Sequence, residues 1–162
     1  MNKSIRLHIG AEQTSVAIDT DGEAAEVMLL VIGRSRTAAE FFKHSPPTEA
    51  ELEGAIMWVE DEVTRARTLV AGHTGLTTTD AAVGDIARIA GLPSQAEMLL
   101  SVEAVERLFD LLAAWSLGRP ALRSGIPTDP AFAATLLILR EFLHHLHFGS
   151  IQVLQRYTGA KA

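Results

Sequence analysis

The sequence predicts an α/β fold in which three antiparallel strands open a mixed sheet and the later strands alternate with helices. Two observations carry this. Apolar residues recur with a period of two over residues 5–18, and from residue 35 onward they recur with the period of a helix, interrupted by short extended runs at 76–79, 96–100 and 151–154.

The elements follow in order. Ile5, Leu7 and Ile9 alternate with Ser4, Arg6 and His8, and after Gly10 the alternation resumes with Thr14, Val16 and Ile18 against Ser15, Ala17 and Asp19. Each run is a half-buried strand. Asp19-Thr20-Asp21-Gly22 is a turn, because Asp bonds its own backbone and Gly supplies positive φ. The apolar run 27–32 after it is expected to be a third, more buried strand, and the short connections make the three an antiparallel meander.

Residues 35–44 form a short helix, which Pro46-Pro47 ends. Thr48-x-x-Glu51 is a capping box, in which each side chain satisfies a backbone N–H of the first turn. The stripe Leu52, Ile56, Val59, Val63 and Ala66 that follows implies a helix of about six turns. Residues 76–79 form a strand and 80–90 a helix stopped by Gly91 and Pro93, after which 96–100 is extended. Ser101 caps a helix with the stripe Val102, Val105, Leu108, Phe109 and Leu112. Beyond a loop over 118–128, Asp129 caps a helix with Pro130 in its first turn, where a missing N–H costs nothing. That helix runs to Gly149, and 151–154 is the last strand.

Composition bounds the function. A chain of 162 residues, 48% of them hydrophobic and 21% charged, supplies one core and a single domain over residues 1–162. The absence of Cys removes a disulfide framework, a thiolate metal site and a cysteine nucleophile together. Twenty acids against fourteen bases give a net charge of -6, which repels polyphosphate backbones, so no nucleic-acid partner is expected. The longest apolar run, 131–139, is far short of the ~20 residues of a membrane-spanning helix, and the first residues carry no apolar leader. A cytoplasmic location without membrane contact is expected.

Four stretches carry a resemblance. They are Leu7-His8-Ile9-Gly10-Ala11-Glu12-Gln13-Thr14, residues 41–52 with their paired prolines, Thr77-Thr78-Thr79-Asp80-Ala81-Ala82-Val83 with the helix after it, and Gly125-Ile126-Pro127-Thr128-Asp129 with the helix that follows. In this order they resemble the second domain of the exopolyphosphatase and guanosine pentaphosphate phosphatase (Ppx/GppA) family, a ribonuclease H-like half of the actin-like ATPase fold. The resemblance implies two phosphate-binding turns, one Asp-Ile-Gly-Gly-Gly-Ser-Thr-Glu-like and one Thr-Gly-Gly-Thr, whose backbone N–H groups approach phosphate oxygens. The ligand-binding positions it implies here are His8, Gly10, Glu12 and Thr14 in the first turn and Thr79 and Asp80 in the second.

The departures from that pattern all point one way. Glu12 puts a carboxylate where a phosphate would sit, His8 replaces an Asp, and Asp80-Ala81-Ala82 replaces Gly-Gly-Thr. Pro130 and Phe132 stand where the family has Arg and Asp, and Leu154 and Tyr157-Thr158-Gly159 stand where it has Ser and Gly-Leu-Arg. These residues resemble the second domain alone, and no counterpart of the family's first domain, with its own phosphate loop and acid/base carboxylate, is expected among them. The preferred reading is that both turns have become capped connections, with Asp80 an N-cap and Glu12-Gln13 a polar hairpin turn. The alternative is that His8, Glu12 and Asp80 converge as a cation site.

Other motifs carry less. His144-His145-x-His147 falls in the last turn of a helix, where imidazoles meet the carbonyl end of the dipole and no Asp or Cys completes a ligand set, so no metal is assigned. Trp58 and Trp115 are packing or interface residues, and the acids Glu49, Glu51, Glu53, Glu60, Asp61 and Glu62 form a solvated helix face.

The function expected is that of a non-catalytic exopolyphosphatase-like domain, without cofactor, acting by binding or self-association. A homodimer or a protein partner would cover the face that a lone half exposes. The alternative is a phosphatase for polyphosphate or guanosine polyphosphate, active only with a separate first domain and with magnesium assisting attack by water. A third reading has the altered cleft bind another small ligand without turnover.

Overall fold

A computed structural model describes residues 3–119 and 125–155. Its strands are β1 (Lys3–Ile9), β2 (Thr14–Thr20), β3 (Glu23–Leu30), β4 (Leu76–Thr78), β5 (Glu97–Ser101) and β6 (Ser150–Leu154). Its helices are α1 (Arg34–Phe41), α2 (Glu49–Thr64), α3 (Arg67–Val70), α4 (Ala81–Ile89), α5 (Val102–Ser116) and α6 (Pro130–His145). The strands form one sheet in the order β3-β2-β1-β4-β6-β5. The β1–β2, β2–β3 and β5–β6 pairs are antiparallel, and β4 lies parallel to both β1 and β6. This is the mixed sheet of a ribonuclease H-like domain.

One face of the sheet builds the core. Ile5, Leu7, Ile9, Val16, Met98, Leu100, Ile151 and Val153 are buried, while their alternates Arg6, His8, Leu99 and Gln152 are not. The apolar side chains of the helices join these strand residues in one core cluster, so the buried face is the one the helices cover. At the centre of the helical layer, α6 packs against α1, α2 and α5. Leu136, Leu137, Ile138, Leu139 and Phe142 are fully buried there.

Three expectations are corrected. The third strand is not the more buried one. It is an edge strand whose Met28 and Leu30 turn inward while Val27 and Leu29 stand 58% and 53% exposed on the helix-free face. An apolar run on an edge strand has only one sheet neighbour and, here, only one covered face, so alternate residues of the run reach solvent.

The helix of about six turns stops at Thr64. Arg65 N–H donates to Glu62 O and Ala66 N–H to Val63 O, a tightening to three-residue spacing, before α3 resumes on a new axis. Likewise α6 ends at His145 and not near Gly149. Among the described residues no helix is long and apolar enough to cross a membrane.

Candidate functional site

The two turns of interest lie side by side because β1 and β4 are parallel neighbours. In the β1–β2 hairpin, Gly10 N–H donates to Gln13 O at 2.9 Å, and a Cβ at Gly10 would stand 2.6 Å from that oxygen, so only Gly fits. The turn then serves as the cap of α1. Gly10 O accepts from Arg34 N–H at 2.8 Å, and Ala11 O accepts from the N–H groups of Ser35 at 2.9 Å and Arg36 at 3.0 Å. No side chain caps α1. The N–H groups that a helix start could offer an anion are therefore taken by the turn's own carbonyls. Gly33 allows this approach, since a Cβ there would lie 2.4 Å from Ala11 O.

Asp80 holds the second turn. It occupies the N-cap position of α4, yet its side chain makes no cap hydrogen bond, which corrects the expectation of a helix cap. The carboxylate reaches across to β1 instead. One oxygen accepts from Ile9 N–H at 2.6 Å and the other meets His8 Nδ1. The Asp80 side chain is 6% exposed and that of His8 60%. A carboxylate taken from water needs such donors. Asp80 N–H donates to Thr78 Oγ1 at 3.1 Å and fixes the turn from the other side.

The structure thus joins His8, Gly10 and Asp80, with a Cβ built on Gly10 falling 3.5 Å from His8 Nε2. The other three positions do not join them. Glu12 is exposed and has no hydrogen bond or ion pair among the described residues, and Thr79 is exposed beside the turn. Thr14 is buried on the core side, donating through Oγ1 to Ile32 O at 2.9 Å. Among the described residues no three His, Asp or Glu side chains are placed to share a metal ion.

A small cavity of about 160 Å³ adjoins α1, α4 and the start of α6, lined by Arg34, Ala82, Asp85, Asp129, Phe132 and Thr135. Asp129 accepts from Ala131 N–H at 2.9 Å, so it caps α6 as the sequence predicted. Arg34 sends Nε to Ile9 O at 3.3 Å; no sequence pattern singled it out. Leu154 ends β6, and Tyr157-Thr158-Gly159 lie outside the described residues.

Two further groups differ from expectation. The acids of α2 are not simply a solvated face: Glu51 closes the capping box with Thr48, and Glu62 accepts from Val31 N–H at 2.6 Å and from Arg65 at 2.9 Å. The histidine run does not all fall in the last turn of the helix, because His147 lies past the end of α6 with φ 63°. His145 Nε2 instead lies 3.0 Å from Glu141 and 3.4 Å from Glu60. Glu141 is buried in α6, and burial raises its carboxyl above the usual glutamate range against the opposing charges of Arg140 and His145.

No protein-family model matches the sequence, and no curated protein matches it. Solved structures do match. The Aquifex aeolicus PPX-GPPA enzyme superposes with a TM-score of 0.78 at 16% identity over 95% of this chain and 54% of its own. An exopolyphosphatase from Cytophaga hutchinsonii gives a TM-score of 0.73 at 17% identity over 95% and 53%. The chain spans about half the length of these structures, and its fold is that of one domain of the Ppx/GppA exopolyphosphatases.

Proposed function

We propose that this chain works as a non-catalytic counterpart of the second domain of the exopolyphosphatases, acting by association and not by turnover. The observation that carries the reading is Asp80. Its carboxylate sits between the two turns and takes Ile9 N–H and His8, donors that a phosphate oxygen would otherwise use. A second anion brought there meets like charge in a partly desolvated place.

A magnesium ion is not well served by the same residues. It asks for oxygen ligands in octahedral array, and both oxygens of Asp80 are engaged while its neighbour is an imidazole. With polyphosphate and magnesium, the purified chain is expected to release no inorganic phosphate above the buffer rate. Sustained release by this chain would overturn the reading. Release only on addition of a first-domain protein would favour the alternative of a divided phosphatase, a reading supported by the half-length match.

The associating surface is the helix-free face at β3, and its occupant is a second copy of the chain. Val27, Leu29 and Val31 are exposed there, beside an edge of β3 that pairs with no other strand among the described residues. Glu62 and Arg65 of α2 already engage Val31 N–H and Leu29 O, so the pairing runs along the edge before them, where antiparallel contact of two copies about a two-fold axis satisfies the outward backbone groups and covers both apolar patches. In sedimentation, the wild type is expected at twice the monomer mass and Leu29→Lys at the monomer mass with unchanged circular dichroism. A wild type that stays monomeric at high concentration contradicts the proposal.

A further inference from the structure

We infer that the chain carries a second ligand site, for a small amphipathic anion, at the end of α6 and away from the two turns. An open cavity of about 630 Å³ lies between the turn after α3 and the residues that follow α6. Its size falls within the roughly 300–1,000 Å³ of small-molecule sites. Val70 and Leu146 form an apolar wall, and Arg67, His73 and His147 supply nitrogen donors.

The donors are available. Among the described residues the side chains of Arg67 and His147 have no hydrogen bond or ion pair, and His73 uses one ring nitrogen on Ala71 O at 3.2 Å. The remaining imidazole on the wall, His145, turns Nε2 to Glu141 and Glu60, the carboxylates of this neighbourhood, so both acids already have a partner.

The backbone fixes where His147 stands. Phe148 N–H donates to Leu143 O at 2.9 Å, which closes α6 in a Schellman turn and puts His147 at the left-handed position after the C-cap. That position favours Gly, since a side chain there crowds its own backbone. Gly149 stands only two residues on, where no positive φ is required. His is among the side chains that the left-handed region tolerates, and this turn sets the His147 ring on the cavity wall with the unpaired guanidinium of Arg67. Guanidinium and imidazole donors over an apolar floor suit a phosphate or carboxylate monoanion attached to an apolar group.

Phenyl phosphate and benzoate are the probes, titrated separately into the full chain and followed by backbone amide NMR shifts. At least one is expected to move Gly72, His73, Thr74 and His147 saturably, and the stronger of the two identifies the head group. Arg67→Ala is expected to raise its Kd about tenfold, the usual effect of losing one charge-assisted hydrogen bond. His147→Asn, which tolerates left-handed backbone, is expected to raise it several-fold while leaving the thermal midpoint unchanged. Shifts confined to other regions, or an Arg67→Ala Kd equal to that of the wild type, would overturn the inference.

Discussion

Asp80→Ala is expected to lower the unfolding free energy by about 3 kcal/mol, and Asp80→Asn by about half as much. The alanine leaves Ile9 N–H buried without an acceptor, a loss of roughly 1–3 kcal/mol, larger when the lost partner was charged. Little of the effect comes from His8, because that ring is mostly in water and its attraction for the carboxylate is screened. Asparagine keeps an oxygen for Ile9 N–H and gives up only the charge. Urea denaturation followed by circular dichroism tests the order of the three proteins. If Asp80→Ala unfolds within about 0.5 kcal/mol of the wild type, the level of an ordinary surface change, the carboxylate is not holding the two turns together. The account of the site would then fail with it.

How far this site was legible in the sequence depends on the range of the contact. The strands and their inward faces were legible, since Ile5, Leu7 and Ile9 repeat at the period of a pleated strand and all three are buried. The caps at Thr48, Ser101 and Asp129 were legible too, because each cap acts within three residues of chain.

That His8 and Asp80 meet was legible only through the resemblance, which placed both at the two turns; their direct contact was not legible in any local pattern. It depends on the register of two parallel strands, in which Ile5 lies opposite Leu76 and Arg6 opposite Thr77. The same offset carries Ile9 to Asp80, just past the end of the ladder, and no local pattern encodes that offset. Asp80 therefore read as a helix cap, the role a carboxylate takes when only its own neighbours are known. The misjudged burial of β3 has a related cause. Hydrophobic side chains report that a strand exists, whereas its place at the sheet edge is settled by where the later strands join, and they join beside β1.

The larger effect is expected in the helical layer: Phe142→Ala should cost about 3–5 kcal/mol, a substantial part of the roughly 5–15 kcal/mol by which a domain of this kind is stable. Phe142 is fully buried and stacks on Phe148 with ring centroids 5.9 Å apart and planes 7° from parallel. Its removal forfeits the transfer energy of the ring and leaves a cavity. The surroundings can collapse into that cavity only by moving α6 relative to helices that grip it on several sides. Phe142→Leu keeps most of the volume and should cost about 1–1.5 kcal/mol.

Calorimetry on both variants separates the contributions. A Phe142→Ala loss no greater than that of Phe142→Leu would mean that the site collapses freely and that α6 is not the fixed axis of the layer. A large gap between the two would mean that α6 holds its place. That matters at both ends of the molecule, because α6 packs on α1, the helix whose start is capped by the Gly10–Ala11 turn, and α6 itself closes on His147.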